Sequence, residues 1–306
     1  MSTLIISVRR SPPCVISYAT PRVNLSISRL LLKPPAAAML DQSSIDAQWQ
    51  QLNYLSRPDY SAAVDEYNAF VELLSGQNID IEFLPASEQT GMDSLYVRDA
   101  AIICDAGAIL CSMGKPARSG EPDGCAAQFE QTGLSTAGAV VSPGFIEGGD
   151  VAWLNPQTLV VGRGYRTNDA GIGQLETLLP DDVELIVVPL PHWQGPDDVF
   201  HLMSMLSPID EDLLLVYSPL LPVPFRQQLI ERGYTLVEVP DGEFDSMGCN
   251  VLATEPRHCV MLEGNPVTKA RLEAAGARVL TYKGTEISAK GCGGPTCLTR
   301  PLLREI

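Results

Sequence analysis

A cysteine near the end of the chain lies in a glycine-rich segment that suits a nucleophile. Cys297 directly follows Gly293-Gly294-Pro295-Thr296, and glycines allow a backbone and a ligand to approach each other closely. A thiolate in such a place can attack an electrophilic carbon. Cys292 is the nearest competitor, and Cys292 with Cys297 could instead form half of a zinc site, although no second ligand pair of good spacing follows. We interpret Cys297 as the candidate nucleophile.

The chain offers only three histidines, so the choice of a general acid and base is small. His192 lies between a proline and a tryptophan, and His258 falls in a predicted turn, which is typical of surface residues. His201 instead begins a predicted hairpin. Two acids also precede apolar strands: Glu147, followed by two glycines, and Asp99, whose burial would need a cationic partner.

These four residues belong to a repeat of about fifty residues, which is the range of propeller-like repeats. Each repeat consists of a predicted hairpin, a helix and a strand. One position stands at the start of each hairpin, and it is occupied in turn by Asp99, Glu147, His201, Gly248 and Cys297. A second register is visible, because an arginine lies nineteen residues after each of the two acids, at Arg118 and Arg166.

The repeat predicts an α/β fold with five ββαβ units around a central axis. Helices are predicted over Ser61–Ser75 and from near Asp123, Asn168, Pro222 and Asn265, the last capped by Asn265 and ended by Gly276. The strands following these helices are predicted at Ile79–Leu84, Ala137–Ser142, Glu184–Leu190, Thr235–Val239 and Ala277–Tyr282. Pairing of the first strand, Ser28–Leu32, with the last, Leu298–Leu303, would close the ring.

Composition narrows the class of protein. The 306 residues include 37 acidic and 21 basic side chains, for a formal net charge of −16, and 45% are hydrophobic. This composition indicates a folded protein and disfavours a nucleic-acid partner, which needs a basic surface. No apolar run is long enough to span a bilayer, and eight scattered cysteines favour a cytoplasmic protein over a disulfide scaffold.

The beginning of the chain has a different composition. The first forty residues contain five Arg or Lys and no acid, which fits either a transit peptide or a plain N-terminal extension. We therefore expect an extension over residues 1–26 and a single catalytic domain over residues 27–306.

The motifs together resemble the guanidino-group-modifying (pentein) superfamily, a five-bladed α/β-propeller fold, and within it most closely the dimethylarginine dimethylaminohydrolases. The resemblance covers roughly residues 27 to 306. The matching segments are Asp93-Ser-Leu-Tyr-Val-Arg-Asp99, Gly114-Lys-Pro-Ala-Arg118-Ser-Gly-Glu121, Ile146-Glu-Gly-Gly-Asp150, Arg166-Thr-Asn168, His201-Leu202 and Gly293-Gly-Pro-Thr-Cys297.

The resemblance implies a role for each of these positions. Cys297 would attack the guanidinium carbon, His201 would protonate the departing amine and then activate water, and Glu147 would orient His201. Asp99 would bind the guanidinium, Asp93 the α-ammonium, and Arg118 and Arg166 the α-carboxylate of a small cationic guanidino amino acid. The implied product is citrulline, formed through a covalent thiouronium intermediate, with no cofactor and no metal.

Two departures from the family pattern keep alternatives open. Arginine deiminases carry an acid two residues after the histidine, whereas here the residue is Met203, which favours an N-substituted guanidine such as Nω,Nω-dimethyl-L-arginine. Conversely, Arg98 stands before Asp99 where dimethylargininases usually have Glu, and Arg-Asp is more like a deiminase.

An arginine deiminase and an amidinotransferase are therefore the alternative activities. Non-catalytic translation factors with this fold are disfavoured, because they would lack the Cys-His-Glu-Asp set. A homodimer is left open, and a lid is expected around Pro34–Leu40 by analogy.

Overall fold

Each predicted hairpin pairs with the strand that follows its helix, and the strands form five three-stranded sheets. The computed structural model describes residues 25–198 and 200–305. Its strands, in chain order, are β1 (Ser26–Leu32), β2 (Asp80–Phe83), β3 (Ala101–Cys104), β4 (Gly107–Leu110), β5 (Thr136–Ala139), β6 (Val151–Asn155), β7 (Thr158–Arg163), β8 (Glu184–Pro189), β9 (Leu206–Asp210), β10 (Leu213–Val216), β11 (Thr235–Glu238), β12 (Val251–Glu255), β13 (His258–Leu262), β14 (Arg278–Tyr282) and β15 (Arg300–Glu305).

All five sheets share one topology. The middle strand is antiparallel to the strand before it and parallel to the strand after the helix, as in β3-β4-β5 and β6-β7-β8. The fifth sheet joins the two ends of the described chain: β1 lies antiparallel to β15, with Ser26 opposite Glu305, and parallel to β2. The predicted ring closure and the predicted five-bladed α/β fold are confirmed.

Except for one short helix between β11 and β12, the helices lie between the middle and outer strands of a sheet, as a parallel connection requires. They are α1 (Pro35–Ala38), α2 (Gln42–Gln48), α3 (Tyr60–Ser75), α4 (Glu121–Thr132), α5 (Asp169–Leu178), α6 (Val223–Glu231), α7 (Asp241–Phe244) and α8 (Pro266–Ala274). Helix α3 begins where Asp59 accepts a hydrogen bond from the Ala62 amide, and it buries Tyr67, Phe70 and Leu74, whose spacing places them on one face. Phe70 packs on Tyr282 of β14, with ring centroids 4.6 Å apart.

The expected cap of α8 is wrong, although the helix begins and ends as predicted. Asn265 turns its amide toward the carbonyls of Ser246 and Leu262 and makes no cap hydrogen bond. The carboxylate of Glu243 caps the helix instead, accepting from the amides of Val267 and Thr268. A residue 24 and 25 positions before the two amides supplies the cap, which local sequence spacing does not reveal.

The first strand of each sheet lies nearest the axis. Strand β9 packs against β6 and β12, and β15 packs against β3. The residue that opens each hairpin therefore stands at the same end of a central channel. The remaining apolar side chains fill the spaces between sheets and helices.

Two expectations concern the N-terminal part of the chain. Apart from its last two residues, the extension over residues 1–26 lies outside the described residues, and the division into residues 1–26 and 27–306 stays a prediction. The segment expected to act as a lid contains α1, whose Pro35 and Ala38 are buried, and Met39 after it is buried too.

Candidate active site

Four predicted residues meet at one mouth of the central channel. Asp99 and Glu147 stand at short turns just before β3 and β6, His201 precedes β9, and Cys297 precedes β15. His201 and Cys297 line the same two cavities. The fifth equivalent position, Gly248, carries no side chain, and its blade contributes a different residue, as described below.

His201 and Glu147 form a buried pair. Nε2 of His201 lies 2.8 Å from Oε2 of Glu147, and Oε1 of Glu147 also accepts from the amides of Gly114 and Lys115 at 2.9 and 3.2 Å. Burial is the largest single effect and opposes both charges, but the attractive interactions together outweigh it. The hydrogen bond and charge of His201, followed by the charges of Arg166 and Arg118, lower the pKa of Glu147 to about 2. The charges of Asp99 and Asp150, together with the hydrogen bond and charge of Glu147, raise the pKa of His201 to about 9. The imidazole is therefore a cation at neutral pH.

The second nitrogen of His201 faces Asp99. Its Nδ1 lies 4.0 Å from Oδ1 of Asp99, and this carboxylate oxygen is buried without a hydrogen-bond partner. Close packing requires one of the two glycines after Glu147, because a Cβ at Gly149 would collide with His201 and Asp99.

Cys297 is held by Asn250, which the sequence analysis did not identify. Nδ2 of Asn250 lies 3.5 Å from Sγ of Cys297, and its Oδ1 accepts from the amide and hydroxyl of Thr296. Gly294 is needed because a Cβ would overlap the Asn250 side chain. Burial, and then the charge of Asp99, raises the pKa of the Cys297 thiol, while the donors from Thr296 and Asn250 and the charge of Arg98 oppose the rise. The unliganded site therefore holds a thiol, and a substrate cation beside it would favour the thiolate.

The Arg118 guanidinium is paired with the carboxylates of Asp99 and Glu121. Its NH1 donates to Oδ2 of Asp99 at 2.5 Å, and its Nε and NH2 form a bidentate pair with Glu121 at 2.9 and 2.7 Å. NH2 also donates to the Tyr96 carbonyl. Arg118 is therefore the cationic partner that we predicted for a buried Asp99. Burial raises the pKa of Glu121 to about 7 even though Arg118 opposes the rise.

Arg166 and Asp93 complete the predicted set, and each is occupied by a partner from the chain. NH1 of Arg166 lies 3.4 Å from Glu147. Asp93 pairs with Nζ of Lys115 at 2.6 Å, and the same ammonium donates to the Leu52 carbonyl. No role was predicted for Lys115 from the sequence, although it lies inside the motif that contains Arg118.

Asp150 is a further buried acid that sequence reasoning did not assign. It accepts from the hydroxyl of Thr167 at 2.7 Å and from the amide of Leu202 at 3.0 Å, and burial raises its pKa to about 6. Since Leu202 directly follows His201, this carboxylate fixes the backbone that carries the imidazole. Its position in the Glu147-Gly-Gly-Asp150 segment could have indicated a role in the site.

Two cavities of different character flank Cys297 and His201. One, called the polar cavity after the charged side chains in its walls (Asp93, Lys115, Arg118 and Arg166), is small, with a volume of about 20 Å³. The other has a volume of about 300 Å³. It is mainly apolar, with walls that include Leu55, Trp193, Phe200, Met203, Phe244 and Met247, and the carboxylates of Asp198 and Asp245 also line it. Arg98 lines neither cavity; its Nε donates to the Thr296 carbonyl beside Cys297.

The donor atoms of Asp99, Glu147 and His201 lie within 4.8 Å of one another, a spacing that could accommodate a metal ion. The protein's own cations already occupy this group, since Arg118 binds Asp99 and both Arg166 and His201 contact Glu147. A metal would have to displace them. The absence of a metal cofactor stays a prediction.

Comparisons with known proteins bear directly on this arrangement. The family model described as N,N dimethylarginine dimethylhydrolase, eukaryotic, matches residues 35–304. The uncharacterized protein YkgA of Bacillus subtilis is 30% identical over 242 residues, which cover 79% of this chain and 80% of YkgA. The N(G),N(G)-dimethylarginine dimethylaminohydrolase of Pseudomonas aeruginosa is 25% identical over 271 residues, covering 88% of this chain and 97% of the relative.

A solved structure agrees in fold. The Pseudomonas aeruginosa dimethylarginine dimethylaminohydrolase, as a cysteine-to-serine mutant complexed with citrulline, superposes with a TM-score of 0.73 at 23% identity. The match covers 92% of this chain and all of that chain.

Fold and site together define a pentein enzyme that hydrolyses a C–N bond of a linear amidine, the guanidino group. Within that class, the chain belongs to the dimethylarginine dimethylaminohydrolase family. Among residues 25–198 and 200–305, no helix combines the length and the apolar character that crossing a membrane requires.

Proposed function

We propose that the protein hydrolyses Nω-methylated L-arginine, with Nω,Nω-dimethyl-L-arginine as the main substrate, to L-citrulline and a methylated amine. Cys297 is the nucleophile, His201 the general acid and base, and Glu147 the residue that orients His201. The observation that carries this choice of substrate is the apolar cavity beside Cys297 and His201.

The polar cavity supplies groups for the amino-acid end of the substrate. Asp93 receives the α-ammonium, Arg118 and Arg166 receive the α-carboxylate, and Asp99 receives the guanidinium. Each group has an internal partner of opposite charge, at 2.6 Å for Asp93 and 2.5 Å for Asp99. A zwitterionic substrate with a cationic tail can exchange with these partners without leaving a buried charge unpaired, which supports an amino acid over agmatine.

The reaction proceeds in two displacements. The Cys297 thiolate forms a C–S bond to the guanidinium carbon, and His201 gives its proton to the alkylated nitrogen as the C–N bond breaks and the amine leaves. The neutral imidazole then takes a proton from water, whose oxygen attacks the thiouronium carbon. The C–S bond breaks, which restores the thiolate, and the proton left on the product oxygen passes to solvent or to the released amine as citrulline forms. Because the pKa of His201 is near 9, the imidazole carries at neutral pH the proton that the first step requires.

The leaving group fits the second cavity. Met203 lies in its wall and is 6% exposed. A thioether cannot accept a hydrogen bond from an unsubstituted guanidinium as a carboxylate would, but it can contact methyl groups. Because Arg98 contacts the Thr296 carbonyl and does not line the substrate cavities, its presence gives no support to a deiminase.

A cytoplasmic location completes the proposal. None of the seven cysteines in the described part of the chain forms a disulfide, which supports a reducing compartment. A homodimer stays a prediction.

The direct test is an assay of the purified protein with dimethylarginine, monomethylarginine, arginine and agmatine, in which citrulline and released amine are both measured. We expect turnover of the methylated substrates and loss of turnover in Cys297→Ser and His201→Gly. Ammonia release from arginine without turnover of methylated substrates would instead identify a deiminase.

A further inference from the structure

The central channel contains three arginines that play no part in the proposed reaction. Arg98 stands before β3, and Arg300 and Arg304 lie on β15. They line a cavity of about 60 Å³ whose other walls come from the axial strands β3, β6, β9 and β12. Met203 lines both this cavity and the larger cavity beside Cys297 and His201.

All three side chains are buried, with exposed fractions of 8% for Arg98 and 5% each for Arg300 and Arg304. Their hydrogen-bond acceptors are carbonyl oxygens. Arg98 donates to Thr296, Arg300 donates to Arg98, and Arg304 donates to Leu25 and Ala253. Across residues 25–198 and 200–305, no carboxylate lies within ion-pair distance of any of them.

Asp99 is the carboxylate that could compensate the charge of these arginines, but it pairs with Arg118. Asp99 attracts Arg98 and Arg300, but its Oδ2 accepts the hydrogen bond from Arg118. Residues 1–24 contain no Asp or Glu. Burial lowers the pKa of Arg300 and Arg304 to about 10, which still leaves both charged at neutral pH.

Two donor atoms of these side chains are also unsatisfied. Nε of Arg300 and Nε of Arg304 are buried and have no hydrogen-bond partner. Buried donors are nearly always paired, and an unpaired charged donor is expensive, so such atoms indicate an ion or water that completes the site.

We propose that the channel binds a small inorganic anion of the chloride type, held by the guanidinium groups of Arg300 and Arg304 with Arg98 nearby. The size supports this class, because a water-sized group needs about 10–15 Å³ on the same scale. A cavity of about 60 Å³ therefore holds an ion with a few waters and excludes an amino acid or nucleotide. One negative charge offsets part of the uncompensated positive charge on the axis.

The anion would also act on the nucleophile. The charge of Arg98 favours the Cys297 thiolate, and an anion in the channel would weaken that effect. Occupancy of the site would therefore shift the thiol titration upward without any contact between ion and substrate.

Bromide is a suitable probe, since it replaces chloride and scatters anomalously. Crystals of the wild-type protein grown in bromide should show an anomalous peak within hydrogen-bonding distance of Arg300 or Arg304. A channel without such a peak would overturn the proposal, whatever the variants do.

Thermal unfolding gives the second readout. At constant ionic strength, replacing gluconate with bromide should raise the Tm of the wild type by about 2 °C at tenfold excess over the dissociation constant. Arg300→Met should lose this rise, and the control Arg226→Met, a half-buried arginine outside the channel that pairs with Glu238, should keep it. Retention of the full rise in Arg300→Met would contradict a channel site.

Discussion

NH1 of Arg118 lies 2.5 Å from Oδ2 of Asp99, so the cation assigned to the substrate carboxylate holds the anion assigned to the guanidinium. Lys115 with Asp93 and Arg166 with Glu147 repeat the arrangement at 2.6 and 3.4 Å. In the unliganded site, internal ion pairs therefore occupy the groups that the proposed function assigns to the substrate. Binding then consists of exchanging partners rather than of filling vacant charges, and it favours a ligand that brings both signs of charge.

Replacing Arg118 should change both substrate binding and the stability of the fold, and the two effects can be measured separately. Arg118→Met removes charge-assisted hydrogen bonds worth roughly 1.5–3 kcal/mol, so we expect KM for dimethylarginine to rise roughly 10- to 100-fold. Because Glu121 would be left buried and unpaired, Tm should fall, and Glu121→Gln in the same background should restore much of it. Steady-state kinetics and thermal melts check both. An unchanged or lower KM would mean that Arg118 competes with the substrate for Asp99.

The His201–Glu147 pair makes stability depend on pH. The folded-state pKa of His201 is raised from 6.5 to about 9, so its stabilising effect is complete below pH 6.5 and is lost as the pH rises through 9. Glu147, lowered from 4.5 to about 2, contributes above pH 4.5 and loses its effect as the pH falls through 2. We expect Tm to fall between pH 6.5 and 9 in the wild type and to be flatter in His201→Gln. His192→Gln, at an exposed histidine, is the control; the same slope in all three proteins would contradict the assignment.

Asp150 is predicted to be a positioning residue for His201. Asp150→Asn keeps one acceptor but turns an N–H toward either Thr167 or the Leu202 amide, both of which are donors. Loss of one such hydrogen bond corresponds to about tenfold in rate, and we expect kcat to fall by that amount with KM nearly unchanged. Asp65→Asn on the exposed side of α3 is the matched control. A rise in KM with unchanged kcat would assign Asp150 to substrate binding.

Met203 should control the choice between methylated and free arginine. Met203→Asp places an acceptor in the wall of the apolar cavity, where it can pair with an unsubstituted guanidinium and disfavours methyl groups. The ratio of kcat/KM for dimethylarginine over arginine should fall by about tenfold or more. Met203→Leu, which preserves the apolar surface, should retain the wild-type ratio. Equal ratios in all three proteins would remove the argument for a methylated substrate.

Periodicity predicted most of the architecture because each blade repeats the same alternation of apolar and turn residues. The register then selected His201 from three histidines and Cys297 from eight cysteines, since equivalent positions share one end of the axis. The register did not predict side-chain contacts between residues that are distant in the sequence. Asn250 reaches Cys297 across 47 positions, and Lys115 reaches Asp93 across 22. Such pairs depend on side-chain direction in the assembled ring, which no local pattern encodes.

The arginines of β15 were missed for another reason. Arg300 and Arg304 are four positions apart in β15, so they share one face of the strand with Leu302, and polar residues on such a face normally indicate contact with water. In a ring of sheets the inner face of the axial strand borders a narrow channel, and both side chains are buried there. The sequence indicates that the two arginines share a face, but the fold decides what that face borders.

The central claim is covalent catalysis by Cys297, and rapid acid quench with peptide mass spectrometry tests it most directly. After milliseconds with dimethylarginine, the peptide containing Cys297 should carry the mass of the substrate less dimethylamine. The adduct should persist in Cys292→Ser, a neighbouring cysteine of the same cavities, and disappear together with turnover in Cys297→Ser. An adduct on Cys292, or full turnover by Cys297→Ser, would contradict the account.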